Sequence, residues 1–174
     1  VVLYTWSFRV QTFDANSDFA TAFGQRYERG AEAQTLPTDG FWGPRDAAVD
    51  NSGNIYVADT GNRRIRVYNA DGDFQYDIGS SGSGDGELNE PAGVTIHPDG
   101  RVFIADTWNR RVSVFDQNGD FLYNFRVRAW YTDRGNRPYL AIDDERGYLY
   151  ITDPEAGRVL VTDLAGNCVG SFGQ

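Results

Sequence analysis

The chain has 174 residues, of which 40% are hydrophobic and 14% aromatic, so it can bury a core but is too short for two ordinary domains. Its formal net charge is −9, from 25 acidic residues against 16 basic ones that are all arginine, and this balance disfavours a nucleic-acid-binding protein. The single cysteine excludes an internal disulfide, and no stretch reaches the roughly 18 uncharged apolar residues that a membrane span needs.

From the N-terminus, residues 1–24 are predicted to form an incomplete copy of a repeat, followed by a long loop at 25–43. The run from Thr5 to Asp14 aligns without gaps on the run from Thr60 to Asn69. Val1 to Tyr4 then correspond to a second strand, so we expect this copy to lack its first strand. The chain begins at Val1 and contains no Met, which favours a processed product or a fragment.

A repeat of 47 residues dominates the rest of the chain. Ile55-Tyr56-Val57-Ala58-Asp59 recurs as Val102-Phe103-Ile104-Ala105-Asp106 and again as Leu149-Tyr150-Ile151-Thr152-Asp153. The repeat predicts three complete copies, at residues 44–79, 91–126 and 138–174.

Each complete copy alternates short β-branched and aromatic runs with turn residues, which is typical of strands. In the second copy we predict strand A at Asp46 to Asp50, B at Asn54 to Asp59, C at Arg64 to Tyr68 and D at Phe74 to Ile78. Four strands in a period of about 45 residues are typical of a propeller blade. The expected fold is therefore all-β: four-stranded antiparallel meanders, three complete and one without its innermost strand.

Three motifs resemble the NHL repeat family: Gly-Asp-Gly-Glu-Leu-Asn-Glu-Pro-Ala-Gly-Val at 84–94, Pro98-Asp99-Gly100, and Ala-Asp-Thr-Trp-Asn-Arg-Arg-Val at 105–112. The last copy departs from this pattern at 153–157. The resemblance implies a propeller, commonly six-bladed, that binds other molecules without specifying one partner. Six blades would need about 280 residues, so we expect a partial ring or a fragment of a six-bladed propeller, or copies that assemble.

Alternate turns of an antiparallel meander lie at opposite ends of a blade. The A–B and C–D turns share one end, here called the turn face, and the B–C and D–A loops share the other, the loop face. Twelve acidic residues fall on the turn face against only Arg101 and Arg146. Local hydrogen bonding in turns explains so many Asp residues, and Asp71-Gly72-Asp73 lacks the full set of ligands expected of a Ca²⁺ loop.

The loop face is near neutral and carries every tryptophan of the chain. Trp and Arg are enriched at binding hot spots, and Tyr shares the property of burying a large area while offering a polar contact. Packing of each Trp between blades is the structural alternative. The candidate binding residues are Trp6, Trp42, Trp108, Trp130, Tyr131, Arg128, Arg134 and Arg137.

Catalytic chemistry has little support in the sequence. His97 is the only histidine and lies in a turn, and no phosphate-binding loop follows a strand, so we expect no catalytic residues, no metal and no cofactor. Asp59 with Arg63 or Arg64, and Asp106 with Arg110 or Arg111, are predicted to brace loops.

The functional hypothesis is a non-catalytic, extracytoplasmic binding module for a protein, peptide or glycan. Two alternatives stay open: a structural subunit that pairs edge to edge with other chains and completes the propeller, and a fragment of a propeller lyase or hydrolase.

Overall fold

The computed structural model describes residues 1–26, 40–130 and 137–173. The described chain is almost entirely β-structure, with one 3-10 turn at Thr60–Asn62. None of its helical segments has the length and apolar character needed to cross a membrane.

The first copy forms a three-stranded antiparallel sheet, blade 1, in the order β1-β2-β3: β1 (Val2–Tyr4), β2 (Arg9–Phe13) and β3 (Phe19–Phe23). Among the described residues no strand pairs with the free edge of β1, as the missing strand A predicted. Two short strands, β4 (Gln25–Arg26) and β5 (Gly40–Phe41), pair in parallel at the ends of the predicted long loop. Residues 27–39 of that loop lie outside the described part of the chain.

The three complete copies each form a four-stranded antiparallel meander. Blade 2 contains β6 (Ala47–Val49), β7 (Ile55–Asp59), β8 (Arg64–Tyr68) and β9 (Phe74–Ile78). A short parallel pair, β10 (Ser80–Ser81) and β11 (Glu87–Leu88), leads to blade 3. Blade 3 contains β12 (Pro91–Ile96), β13 (Val102–Asp106), β14 (Arg111–Phe115) and β15 (Phe121–Arg126). Blade 4 contains β16 (Leu140–Asp143), β17 (Tyr148–Asp153), β18 (Arg158–Asp163) and β19 (Cys168–Gly173).

The predicted strands of the second copy agree with β6 to β9 to within one residue, and the all-β, four-stranded meander fold is confirmed. Turn glycines occupy the conformations that the sequence required. Gly72 has φ +88°, and a Cβ there would come within 2.7 Å of the Phe23 ring of blade 1. Glycine therefore serves both the turn and the close approach of the neighbouring blade.

The core lies between successive blades rather than within a single sheet. Between blades 2 and 3 one buried cluster contains Tyr56, Ala58, Ile65, Val67 and Ile78 together with Val94, Val102, Ile104 and Phe115. A second cluster joins Phe103, Ala105, Val112 and Val114 of blade 3 to Leu140, Leu149 and Ile151 of blade 4. The inner strands β6, β12 and β16 are neighbours, so the blades fan out from a shared axis.

Both ends of this arc expose apolar surface. On blade 1, Phe13 and Phe19 are 39% and 60% exposed, and on blade 4 Phe172 is 57% exposed. Phe172 corresponds, one repeat later, to Phe125, which packs between blades 3 and 4. The structure is thus an open arc of three complete blades and one three-stranded blade.

Candidate binding face

A buried aspartate at the end of strand B organises each loop on the loop face. Asp59, Asp106 and Asp153 accept a hydrogen bond from the Nε atom of Arg64, Arg111 and Arg158 at 3.0, 2.7 and 2.9 Å, respectively. The aspartates are 0% exposed. The loop-bracing Asp–Arg pairs predicted from the sequence are confirmed, with the second arginine of each Arg-Arg doublet as the partner.

The same carboxylates also fix the loop that enters the blade from the preceding strand D. The backbone N–H of Trp42 donates to Asp59 Oδ1 at 2.7 Å, and that of Asn89 donates to Asp106 Oδ1 at 2.7 Å. Burial raises the pKa of both carboxyls, and these donors together with the arginines oppose the shift. These clamps hold the D–A loops of blades 2 and 3 in fixed positions.

The four tryptophans do not form one surface. Trp6 is 92% exposed, Trp108 is 41% exposed and Trp42 is 38% exposed, whereas Trp130 is 1% exposed. Trp130 packs in the cluster between blades 3 and 4, and its Nε1–H donates to the carbonyl of Thr152 at 3.4 Å. The structure therefore corrects the sequence prediction for Trp130, which fills the core because it seals the gap between two blades.

Of the other predicted candidates, two arginines can be placed in the structure and two residues cannot. Arg128 and Arg137 are exposed. Tyr131 and Arg134 lie outside the described residues.

Three side chains that the sequence analysis did not select, Arg45, Glu90 and Tyr139, lie with Trp42 and Arg137 at the inner end of the loop face. Arg45 follows the D–A loop of blade 2 and lines a cavity of about 260 Å³ with Trp42 and Glu90. Burial lowers the pKa of Arg45, the charge of Arg137 lowers it further, and Glu90 and Tyr139 oppose that change. Trp42, Arg45, Glu90, Arg137 and Tyr139 are called the axial cluster below.

Arg45 carries an unused hydrogen-bonding capacity. Its Nε atom is buried and has no hydrogen-bond partner among the described residues. A buried donor without an acceptor costs about 1–3 kcal/mol, and the neighbouring charge of Arg137 adds repulsion. An acceptor with negative charge placed between the two guanidinium groups would relieve both costs.

Glu90 adds backbone strain at the same place. Its φ is +60°, a left-handed conformation that a non-glycine residue adopts rarely, and the corresponding residue one repeat earlier is Gly43 with φ +59°. The position thus demands a left-handed backbone, yet blade 3 places a carboxylate there. Strain of about 1–3 kcal/mol at such positions is characteristic of functional sites.

The axial cluster coincides with the places where the copies differ. Gly43, Glu90 and Arg137 share one repeat position, and Arg45, Ala92 and Tyr139 share another, on either side of a proline present in all three copies. Sequence reasoning missed Arg45, Glu90 and Tyr139 because it looked for shared motifs. The signal that could have found them is the variation of charge at otherwise equivalent positions.

Local hydrogen bonds within the turns explain the high number of aspartates on the turn face. Asp14 Oδ1 accepts from the N–H groups of Asn16 and Asp18 at 2.8 and 2.9 Å, and Asp50, Asp116 and Asp163 repeat this pattern. These are Asx turns, as the local interpretation of the acidic residues predicted. Within the described ranges no group of three or more His, Cys, Asp or Glu side chains could hold a metal ion.

His97 also belongs to a turn. Its Nδ1 lies 2.8 Å from Asp99 Oδ1, and Arg101 Nη2 lies 2.8 Å from Asp99 Oδ2. Burial raises the pKa of Asp99, but the hydrogen bonds from Arg101 and His97 outweigh it and lower the pKa to about 2. This trio stabilises one turn between strands A and B.

Comparison with known families finds the NHL repeat at residues 41–68 and 88–115. The chain is 27% identical over 133 residues to Protein brain tumor of Drosophila melanogaster, a match that spans 76% of this chain and 12% of that protein.

Solved structures that match in fold include a streptogramin B lyase, with a TM-score of 0.65 and 12% identity over 98% of this chain and 49% of the lyase. A catalytically inactive virginiamycin B lyase from Staphylococcus aureus with quinupristin matches with a TM-score of 0.64 and 12% identity, over 98% of this chain and 50% of that one. An exported protein from Bacteroides fragilis matches with a TM-score of 0.61 and 17% identity, over 97% of this chain and 43% of that one.

The chain therefore spans at most about half the length of these relatives, and at such identities the solved structures show the fold alone. The fold they share with it is the β-propeller. The second matched repeat overlaps all three motifs that carried the family resemblance in the sequence, and the first lies one repeat earlier. The resemblance to the NHL repeat family is confirmed by these two matched repeats, and the chain has the fold of β-propeller blades.

Proposed function

We propose that this propeller segment is a non-catalytic binding module whose axial cluster takes an acidic segment of a protein or peptide. The observation that carries the proposal is the buried Arg45 Nε without an acceptor, next to the charge of Arg137. A carboxylate placed there would accept from one or both guanidinium groups, and charge-assisted bonds of this type are the strong ones.

Two aromatic side chains support a peptide as the partner. Trp42 is 38% exposed and lines the cavity with Arg45, and Tyr139 is 47% exposed. Such side chains bury a large area at an interface and still offer a polar contact. Glu90 supplies an acceptor for peptide N–H groups, so the cluster offers partners for the carboxylate, the apolar part and the backbone of a peptide.

The sequence left a glycan open as the alternative ligand. A neutral glycan would not neutralise the charges of Arg45 and Arg137, of which the second lowers the pKa of the first. The charge of the axial cluster therefore favours the acidic peptide.

The non-catalytic proposal is supported by the use of the polar groups near the loops. Asp59 and Asp106 are bound through both carboxylate oxygens, Asp153 pairs with Arg158 through Oδ2, and His97 pairs with Asp99. We also propose an extracytoplasmic location, for which the fold-level likeness to an exported Bacteroides fragilis protein is the support.

Calorimetric titration with the peptide acetyl-Asp-Glu-Phe-Asp-amide tests the binding proposal, with acetyl-Asn-Gln-Phe-Asn-amide as its neutral counterpart. We expect the acidic peptide to bind, and Arg45→Gln and Arg137→Gln each to weaken it by about tenfold, or about 1.4 kcal/mol. Arg146→Gln, on the turn face, is the matched control because its side chain is 66% exposed and pairs only locally with Asp143. Equal affinity for both peptides, or equal loss in all three variants, would contradict the proposal.

The exposed ends of the arc favour a second candidate function, assembly with another copy of the chain. Phe172 contacts Tyr150 on the outer side of blade 4, with ring centroids 6.3 Å apart. Their equivalents one repeat earlier, Phe125 and Phe103, pack against blade 4. The open side of blade 4 therefore has the apolar composition of a surface that packs against a further blade. At the other end, one edge of β1 has no strand partner among the described residues.

Light scattering of the 174-residue chain tests this candidate. Assembly predicts an oligomer that Phe172→Asp or Phe19→Asp dissociates, while Leu122→Asp, at a 45% exposed position on the outer strand of blade 3, leaves it intact. A monomer at all concentrations would exclude assembly through these ends without affecting the axial-cluster proposal.

A further inference from the structure

An aromatic pair recurs at one position in three blades and is absent from the fourth. The two rings face each other from strands C and D, with centroids 5.7–6.3 Å apart and steep interplanar angles of 74–83°, in Phe13–Phe19, Tyr68–Phe74 and Phe115–Phe121. Each pair is also opposed in the strand register. In blade 4 the opposed residues at this position are Thr162 and Cys168.

A cavity of about 500 Å³ lies at this point, between blades 3 and 4. Its walls are mainly apolar and include Phe125, Val127 and Leu160, together with Thr162 and Cys168. An apolar cavity of about 150 Å³ already holds one aromatic ring, and typical small-molecule pockets measure about 300–1,000 Å³. Because Thr162 and Cys168 replace the two rings at this position, blade 4 leaves room for a ligand.

Thr162 contributes a buried polar atom without a partner to the cavity wall. Its side chain is 7% exposed, and its Oγ1 atom is buried without a hydrogen-bond partner among the described residues. A buried hydroxyl without a partner is costly, so an acceptor or donor on a ligand would stabilise it.

Three arginines line the same cavity: Arg126, Arg128 and Arg158. In blade 3 the equivalent of Arg158 is Arg111, whose terminal nitrogens donate to the carbonyls of Ser83, Gly84 and Glu87. Arg158 donates through Nε to Asp153, and the residues one repeat after Gly84 and Glu87 lie outside the described part of the chain. The cavity therefore combines apolar walls with three cationic side chains.

We propose that this inter-blade cavity binds a small aromatic anion, with the ring in the space left by the missing aromatic pair and a carboxylate or sulfonate on the arginines. The site goes beyond the proposed function, because it lies between blades 3 and 4 rather than at the axial cluster. Its ligand is a small molecule, not a peptide segment.

Titration with 2-naphthalenesulfonate, against the neutral 2-naphthol, tests the proposal. The decisive variant is Thr162→Phe/Cys168→Phe, which restores the aromatic pair of the other blades. We expect it to reduce the affinity for the sulfonate by more than about tenfold and to raise the thermal midpoint, since it fills the cavity. Val169→Phe is the matched control, because Val169 neighbours Cys168 but is 50% exposed and does not line the cavity.

Two further readouts keep the test decisive if the filled variant fails to fold. Arg126→Gln/Arg128→Gln changes only exposed side chains and is expected to weaken the sulfonate about fivefold while leaving 2-naphthol unchanged. Cys168, the single cysteine of the chain, provides an independent signal: bound naphthalenesulfonate is expected to slow its alkylation by iodoacetamide. Unchanged alkylation, with equal binding to the wild type and the arginine variant, would place the probe elsewhere, for example on the open ends, and overturn the proposal.

Discussion

The Nε–H group of Arg111 donates to Asp106 Oδ2 at 2.7 Å, and both side chains are almost completely withdrawn from solvent. Asp106 also accepts from the backbone of Asn89 and the amide of Asn109, so one carboxylate joins strand B, strand C and the loop from blade 2. At Asp59 the backbone of Trp42 and the amide of Asn62 donate in the same way beside Arg64. At Asp153 the pair with the strand-C arginine recurs, which explains why the Asp and Arg positions repeat.

Replacing Asp106 should therefore destabilise the protein strongly. Asp106→Ala leaves a buried arginine and two donors without an acceptor, and breaking such a pair costs about 3–5 kcal/mol. Chemical denaturation measures the free energy of unfolding. Asp99→Ala is the control, because the Asp99 side chain is 46% exposed and its pair with Arg101 should contribute less than about 1 kcal/mol. Equal losses in the two variants would contradict the role assigned to the clamp.

The aromatic pairs make a second stability prediction. Phe115 is 1% exposed and packs between blades 2 and 3, so Phe115→Ala should cost about 3–5 kcal/mol of unfolding free energy. Phe13 occupies the same repeat position on the open end and is 39% exposed, so Phe13→Ala should cost much less. A similar cost for both would indicate that the end of blade 1 is covered in solution.

Asp46 makes the stability depend on pH. Its carboxylate accepts from the backbone of Val94 and joins the inner strands of blades 2 and 3, and burial raises its pKa from 3.8 to about 6 against the effect of these hydrogen bonds. Between these two values the folded state binds more protons than the unfolded state, so this contribution to stability falls as the pH rises through that window.

Lowering the pH from 7 to 5 should thus stabilise the wild type relative to Asp46→Asn by about 1 kcal/mol. Denaturation curves of both proteins at the two pH values measure this difference. Other buried carboxyls, such as Asp59 and Asp106, are present in both proteins and cancel in the comparison. A difference of the opposite sign would show that the hydrogen bonds from Val94 and Ala47 dominate over burial.

Glu90 should show a trade-off between stability and binding. Glu90→Gly removes a left-handed non-glycine residue, so the free energy of unfolding should stay unchanged or rise by up to about 1 kcal/mol. The same change removes the carboxylate that is proposed to accept from the peptide N–H groups, so binding of the acidic peptide should weaken. Glu87→Gly, at a residue outside the left-handed region, is the control and should lower stability. A lower free energy of unfolding in Glu90→Gly would show that the left-handed backbone of Glu90 is not strained.

Much of the fold could be predicted from the sequence because each strand and turn of a blade is encoded several times in the repeat. Ile55 to Asp59 and its two later copies fix strand B three times, and the Asn and Gly turns set the register on either side. The three-stranded form of blade 1 was also predictable within the described residues, because Val1 to Tyr4 align with strand B of the later copies.

The site was harder to predict because it depends on differences between copies. Trp130 was expected on the surface from its loop position, yet the gap between blades 3 and 4 buries it. Arg45 has no arginine counterpart in blades 3 and 4, and its significance comes from the charges of Arg137 and Glu90, which act on it from other blades. A local sequence motif does not reveal that residues almost 50 or more positions apart lie close together in the fold.

The indole N–H resonances of the four tryptophans report directly whether the axial cluster is the binding site. On titration with acetyl-Asp-Glu-Phe-Asp-amide, the Trp42 signal should shift, while the signals of Trp6, Trp108 and the buried Trp130 stay in place. Shifts at Trp6 or Trp108 with an unchanged Trp42 signal would contradict the account and place binding on another part of the loop face.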